Sequence, residues 1–409
     1  MVAEASESWT WSFDQFGAWL TSRDSCTLPR MPDAQTDRPY DIVLFGATGF
    51  TGGLIAQYLC KRVGTSMRWA IAGRDLAKLE SRRSELGASA ADLGLIVADS
   101  ADPESLRAMV RQAKVVITTV GPYTLHGEPL VAACVELGTD YVDLTGETGW
   151  WREMVERYHD RASARNVLII PACGFDCIPA DMGALFTAAQ LPDDQPMTID
   201  AYVRANGSFS GGTAASAMEL FASADPNPDP PVGEQAPLVH HARDIGRWAI
   251  RAMVLDPWVV RRSAQLQPKE FGDQLRYRQY FVVPNRVVAY AAVAAGAVFM
   301  TAAKLKPVRK LITKLRPSGS GPSPEQRAKG WFRVEFVGRG GGREVRTHVS
   351  GGDPGYSETS MMVSEAAIML VEARAELPCQ GGVVTTAAGF GRGFIARLEA
   401  AGLEFALDQ

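Results

Sequence analysis

The chain has 409 residues, too many for one ordinary core, so two domains are expected. Hydrophobic residues make up 46% and charged residues 22%, the balance of a soluble globular protein. A net charge of -4 gives no global reason to expect nucleic-acid binding, and six scattered cysteines offer neither a disulfide framework nor a C-x-x-C metal pair. A reducing cytoplasm is the simplest setting.

Residues 1–38 read as an extension. Trp9, Trp11 and Trp19 stand among Ser, Asp and Pro, with no basic stretch leading into an apolar run, which argues against a secretory signal. Met31 lies just ahead of the first strand, so translation could begin there; otherwise the segment is a disordered or loosely docked arm.

Asp41 to Arg74 then reads as strand, glycine turn, helix, second strand and a terminal arginine. Gly46 permits a tight turn, Gly49 has no side chain to hold a pyrophosphate off the backbone, and Gly52 lets the helix lie close on the strand. The spacing is G-x-x-G-x-x-G rather than G-x-G-x-x-G, and the second strand at the βαβ distance is what gives it weight. Gly46, Ala47, Thr48, Gly49, Phe50, Thr51 and Gly52 are the expected phosphate-binding stretch, at a helix start where N–H groups and the dipole favour anions. Arg74 stands where NAD-specific proteins usually carry an acid and can pair with a 2′-phosphate, so NADP(H) is the expected cofactor. A surface arginine beside an ordinary strand-turn-helix is the plain alternative.

The alternation continues. Asp75 to Leu86 reads as a helix, Gly94 to Ala98 as a strand ending at Asp99, and Asp102-Pro103 as a helix start reaching Gln112. Lys114 to Val120 is strand four, followed by Gly121-Pro122-Tyr123 and a helix from about Pro129 to Leu137. Tyr141 to Asp143 is strand five, Thr148 to Arg165 a Trp-rich helix and Val167 to Pro171 strand six. Six apolar strands alternating with helices imply an α/β fold with a Rossmann-type doubly wound parallel sheet over about 39–178. Its rim should gather the glycine turn, Arg74, Asp99, Val120, Gly121, Pro122, Asp143 to Glu147 and Gly174-Phe175-Asp176.

From 179 to 352 the rhythm breaks. Met197 to Arg204 reads as a strand, Gly211-Gly212-Thr213 opens a small-residue helix, and 225–235 is a Pro- and Asp-rich loop. Trp331 to Val337 and Glu344 to Ser350 read as a hairpin, so a smaller α+β domain with an antiparallel sheet is expected. Residues 353–409, with an amphipathic pattern over Ser357 to Ala375 and a second helix over Gly389 to Ala401, are expected to return to the first domain.

Val287 to Ala303 carries no charge, but nine of its seventeen residues are Ala or Gly, which makes it a poor membrane span. Lys304, Lys306, Arg309, Lys310, Lys314 and Arg316 follow with no acid among them, and a linker runs to Pro324. Two readings stay open: a buried or dimer-forming helix with a solvated basic loop, or a peripheral lipid contact joined by Arg243 to Arg262 with its Trp248 and Trp258.

FGATGFTG with AGR, TTVGPYTLHGEPLVAACVELGTDYVDLTGE and PACGFDCIPAD together resemble the saccharopine-dehydrogenase-like oxidoreductases. Within them they are similar to the actinobacterial trans-acting enoyl reductases that serve polyketide lipid synthesis. SGGTAASAMEL and GGDPGYSETSMMVSEAAIML are similar to the same group. The resemblance implies a Rossmann NADP domain, a second domain holding the substrate, and hydride reduction of a double bond in an acyl intermediate carried by a polyketide synthase. Such a reaction needs a donor for the enolate oxygen and a proton source for the α-carbon. Tyr123 and Asp176 are the candidate catalytic residues. Backbone N–H groups after Gly121 are an alternative oxygen donor, His126 a candidate relay, and Glu147 and Gly211-Gly212-Thr213 further candidate contacts. Each has a plain alternative: Tyr123 as a packing ring, Asp176 as a helix cap, His126 as an exposed loop residue. Cys173 and Cys177 have no basic partner nearby to lower a thiol pKa. An NADP-binding sensor or scaffold, and a saccharopine-type amino-acid dehydrogenase, are the rival functions.

Overall fold

The computed structural model describes residues 38–193, 195–206, 237–272, 274–303 and 321–408. The N-terminal tryptophans, the Gly211-Gly212-Thr213 helix, the 225–235 loop and the basic run after Ala303 lie outside the described residues.

Strands β1 (Tyr40–Phe45), β2 (Trp69–Gly73), β3 (Gly94–Val97), β4 (Ala113–Thr118), β5 (Asp140–Asp143) and β6 (Leu168–Ile170) each follow an apolar run, and all six pair in parallel. The side chains of β1, β2 and β4 are almost all buried on both faces because helices cover both, which is why these runs are continuous rather than alternating; edge strand β3 ends on the exposed Val97. The Leu76–Glu85 and Pro103–Val110 helices start at Asp75 and Asp102, whose carboxylates accept the Lys78 and Glu104 amides at 3.2 and 3.1 Å.

The second part of the chain supplies β7 (Met197–Asn206), β8 (Val239–Ala242), β9 (Arg247–Arg251), β10 (Arg276–Val283), β11 (Trp331–Gly340) and β12 (Arg343–Gly351). The expected hairpin is β11–β12, turning at Gly341-Gly342. The sheet is mixed rather than antiparallel, since β7 runs parallel to β10, with Tyr202 opposite Tyr280. Two strands come from the end of the chain: β13 (Gly382–Val383) and β14 (Glu404–Leu407). Among the described residues the first sheet therefore has seven strands, ordered β13-β6-β5-β4-β1-β2-β3, and the second is ordered β14-β12-β11-β7-β10-β9-β8.

The Ser357–Glu372 helix differs from the amphipathic reading: every residue from Thr359 to Leu370 is buried. It packs on β1, β4, β5 and the Phe50–Arg62 helix. Its Ser and Thr hydroxyls mimic a polar face in the sequence, yet Ser364 donates to Ser360 C=O in the turn before it. Glu365, also buried, accepts from Tyr58 Oη and Arg62 Nε at 2.8 Å and from Arg397 Nε at 2.7 Å. The stretch from 243 to 262 is no single surface. Arg247 to Arg251 is β9, whereas Trp258 lies in the Asp256–Leu266 helix with the Arg152 guanidinium 4.8 Å over its ring.

Candidate functional site

Strand register brings the site together. Phe45 pairs with both Ala72 and Thr118, Gly73 with Val97, and Thr118 with Asp143, so the loops after β1 to β5 leave from one edge. The strand order reverses between β1 and β4, the switch point at which such sheets bind ligands.

Gly46 has φ +90°, and a Cβ there would lie 2.6 Å from Thr119 Oγ1. A Cβ on Gly52 would come within 2.3 Å of Gly46 O, so the helix can press on the turn only without one. Gly49 is the N-cap of the Phe50–Arg62 helix, and no side chain caps it. The amides of Phe50, Thr51 and Gly52 form the first helical turn and have no helical acceptor, which leaves an anion cradle. Arg74 is exposed and has no hydrogen-bond or ion-pair partner among the described residues. These features fit a phosphorylated dinucleotide.

Several expected contacts are otherwise engaged. The Phe50 ring stands edge-on to Tyr356 at 5.1 Å with Arg327 5.9 Å over it, so it joins the second part of the chain to the cradle. Asp99 Oδ1 accepts the Ala101 amide at 3.0 Å, closing the turn after β3. The Val120 amide donates to Thr118 Oγ1 at 3.2 Å, and the Gly121–Pro122 peptide is cis.

Tyr123 is buried: its hydroxyl donates to Thr118 C=O and accepts from the Leu144 amide, both at 3.2 Å, and its ring packs on Trp150. Burial, then the Asp143 charge, push its pKa well above the ordinary value. The packing alternative describes this residue, and a relay through His126 has no open hydroxyl to serve. Glu147 accepts the Tyr123 and Thr124 amides at 2.8 Å each, which removes these N–H groups as oxygen donors. The Gly121 amide, exposed and without an acceptor among the described residues, is the one left in that loop. Asp143 is a fastener too: Oδ1 accepts from Thr145 and Ala172 amides at 2.9 and 2.8 Å, and Oδ2 accepts from Tyr141 Oη at 2.6 Å. Burial pushes its pKa up to about 6.

Asp176 is no helix cap, since the Ile178–Ala188 helix starts on Cys177 with no side-chain cap. Its surface is open to solvent while the protein around it still desolvates the carboxyl, which sits above the ordinary carboxylate range. A residue that is both exposed and crowded lies in a crevice. One wall is the loop after β5, where a Cβ on Gly146 would be 3.4 Å from Asp176 Oδ2. The Phe175 amide donates to Thr359 Oγ1 at 3.0 Å, tying this loop to the C-terminal helix. Cys173 and Cys177 are buried thiols pushed well above their ordinary pKa by burial, which suits packing.

Two residues had no motif to mark them. Arg82 donates from Nε to Ala47 C=O at 3.2 Å and lies over Gly53, bracing the cradle from the next helix. Asp256 is buried behind Asp176; its Oδ2 accepts from Gln279 Nε2 at 2.9 Å, and Gln279 Oε1 accepts from Tyr277 Oη at 2.6 Å. Burial first, and the Asp176 charge second, push Asp256 up to about 7. Asp256-Pro257 repeats the Asp-Pro start of Asp102-Pro103, a helix signal the sequence does contain.

Residues 42–170 match the saccharopine dehydrogenase NADP binding domain, so the first sheet carries an NADP(H) site. A Mycobacterium tuberculosis protein provisionally named a trans-acting enoyl reductase is 36% identical, over 90% of this chain and 97% of its own. Trans-acting enoyl reductases of Mycobacterium leprae and Mycobacterium ulcerans are 34% and 33% identical over 90% of this chain and 97% and 98% of theirs. The chain belongs to the trans-acting enoyl reductase family. Among solved structures, apo saccharopine dehydrogenase (L-Glu forming) from Saccharomyces cerevisiae superposes with a TM-score of 0.53, covering 90% of this chain and 100% of that one. At 12% identity this establishes a shared fold alone. As a member of the enoyl reductase family with an NADP(H) domain, the protein is an oxidoreductase.

Proposed function

We propose that the protein reduces a carbon–carbon double bond of an enoyl thioester, carried on a polyketide or fatty-acyl carrier during lipid synthesis. The reading is supported by relatives that bear this name over nearly their whole length. The observation that carries it is the meeting of the cradle, the Gly121 amide and Asp176 on one rim.

When bound, NADPH would supply the hydride that such a reduction needs. The Phe50, Thr51 and Gly52 amides and the Arg74 guanidinium would hold its phosphates. The Gly121 N–H donates to the thioester oxygen as negative charge gathers there. Asp176, its carboxyl held above the ordinary carboxylate range by desolvation, gives its proton to the α-carbon and regains one from solvent. Asp256 is a positioning residue: it lies close enough to feel the Asp176 charge, and two such carboxyls do not readily both ionise.

The test is stopped-flow oxidation of NADPH with a panel of free and carrier-bound enoyl thioesters. Loss of nicotinamide absorbance with formation of the saturated thioester is the expected result. Tight NADPH binding with no turnover on any carrier-bound substrate would instead favour the sensor reading. The saccharopine-type reading has only the shared fold behind it.

A further inference from the structure

The Arg286–Ala303 helix is eighteen residues long, about 27 Å at 1.5 Å per residue. It meets the rest of the protein at β8, β9 and β10, and Ala289 is its buried contact. Beyond that most of its described side chains are exposed. Val287, Tyr290 and Val298 are 71%, 61% and 69% exposed, and residues 294–297 are exposed one after another. Four successive positions look out on every side of a helix, so at that turn apolar surface is exposed all the way round. This overturns the reading of the segment as buried.

A soluble helix in a monomer hides an apolar stripe and shows a polar one. A protein partner, including a second copy, covers the side it touches and would leave the remainder wet. Lipid acyl chains surround a helix on all sides. Phe281 on β10 and Leu238 beside β8, 41% and 38% exposed, extend the apolar surface at the helix base. Charge adds direction: no acid occurs from Arg286 to Arg316, and six cations follow the helix in the chain. Among the described residues no helix is long and apolar enough to cross a membrane, and an Ala- and Gly-rich helix gains little per residue from lipid.

We infer that the Arg286–Ala303 helix docks the protein reversibly on an anionic lipid bilayer, entering the upper acyl region of one leaflet. The cations that follow it in sequence complement the headgroup charge. This docking stands apart from which bond the enzyme reduces.

The test is flotation of the full chain with phosphatidylcholine–phosphatidylglycerol vesicles and with pure phosphatidylcholine vesicles, at low salt and at about 0.5 M salt. The protein is expected to float with the anionic vesicles at low salt and to lose about tenfold in partitioning at high salt or on neutral vesicles. The double variant Val287→Asp/Val298→Asp should also lose about tenfold, while keeping its melting temperature and NADPH affinity because both side chains are exposed. If the wild type stays with the soluble fraction at low salt, or the double variant floats equally well, the inference fails. A wild-type dimer that the double variant turns into a monomer, without flotation of either, would assign the helix to a second copy and overturn lipid docking.

Discussion

Glu147 holds Tyr123 by its backbone, not its hydroxyl: the buried carboxylate accepts the Tyr123 amide at 2.8 Å and the Thr124 amide at the same distance. The loop after β4, which closes one side of the cofactor crevice, is therefore fixed by a residue that follows β5. Glu147→Gln puts an amide NH2 where an oxygen now faces a donor. The expected cost is about 1–3 kcal/mol of stability, with a rise in the Michaelis constant for NADPH. Thermal melting and initial-rate kinetics check both, and an unchanged melting temperature would speak against the clamp.

Arg74 is free to meet the 2′-phosphate that distinguishes NADPH from NADH. Arg74→Glu is expected to weaken NADPH binding by about 10–100-fold, with little change for NADH, since a charge-assisted contact becomes a repulsion. Calorimetric titration of both coenzymes decides it. Equal losses would show that the guanidinium does not read the phosphate.

Gly52 and Gly53 are adjacent and should respond differently. A methyl on Gly52 meets the Gly46 carbonyl at 2.3 Å, a backbone atom that cannot yield without opening the turn, whereas one on Gly53 meets the end of the Arg82 side chain at 2.8 Å. Gly52→Ala should cost about 1–3 kcal/mol or more and abolish detectable NADPH binding. Gly53→Ala should displace Arg82 and leave binding within a few-fold. Both are read by melting and titration.

Asp256 links stability to pH. Its carboxyl is pushed up to about 7 in the folded protein from an ordinary value near 3.8. A raised carboxyl binds its proton more tightly when folded, so its contribution is complete below about pH 4 and fades as pH climbs to about 7. The shift corresponds to a few kcal/mol at about 1.36 kcal/mol per unit. Asp256→Asn keeps an oxygen for Gln279 and removes this slope. Denaturant melts from pH 4 to 8 should show the variant gaining on the wild type as pH rises. Parallel curves would mean that Asp256 titrates normally.

Asp176→Asn tests the proton source. The turnover number should fall by about 10²–10⁴-fold, with NADPH affinity held, because the amide cannot donate to carbon. A variant that keeps its turnover number removes Asp176 from that role.

The first sheet was legible because its central strands are buried on both faces and its first turn needs glycine; both demands fall on consecutive residues. Gly46, Gly52 and Asp102 could be read from their own neighbourhoods. Asp256 and Arg82 could not, since each acts on residues far away in sequence, Asp256 beside Asp176 and Arg82 on Ala47. Tyr123 was misleading for a related reason: the position of a strand end can be read locally, but which way a ring turns is decided by Trp150 and Leu144. Ser357 to Glu372 looked amphipathic because hydroxyls that serve their own helix read as polar.

The placement of β13 bears on synthesis. The nucleotide half begins near residue 40, yet its outermost strand is Gly382–Val383 and one face is sealed by Ser357–Glu372. A growing polypeptide on the ribosome must wait until nearly all of it has emerged before that half can close, leaving apolar surface for chaperones to shield in the meantime.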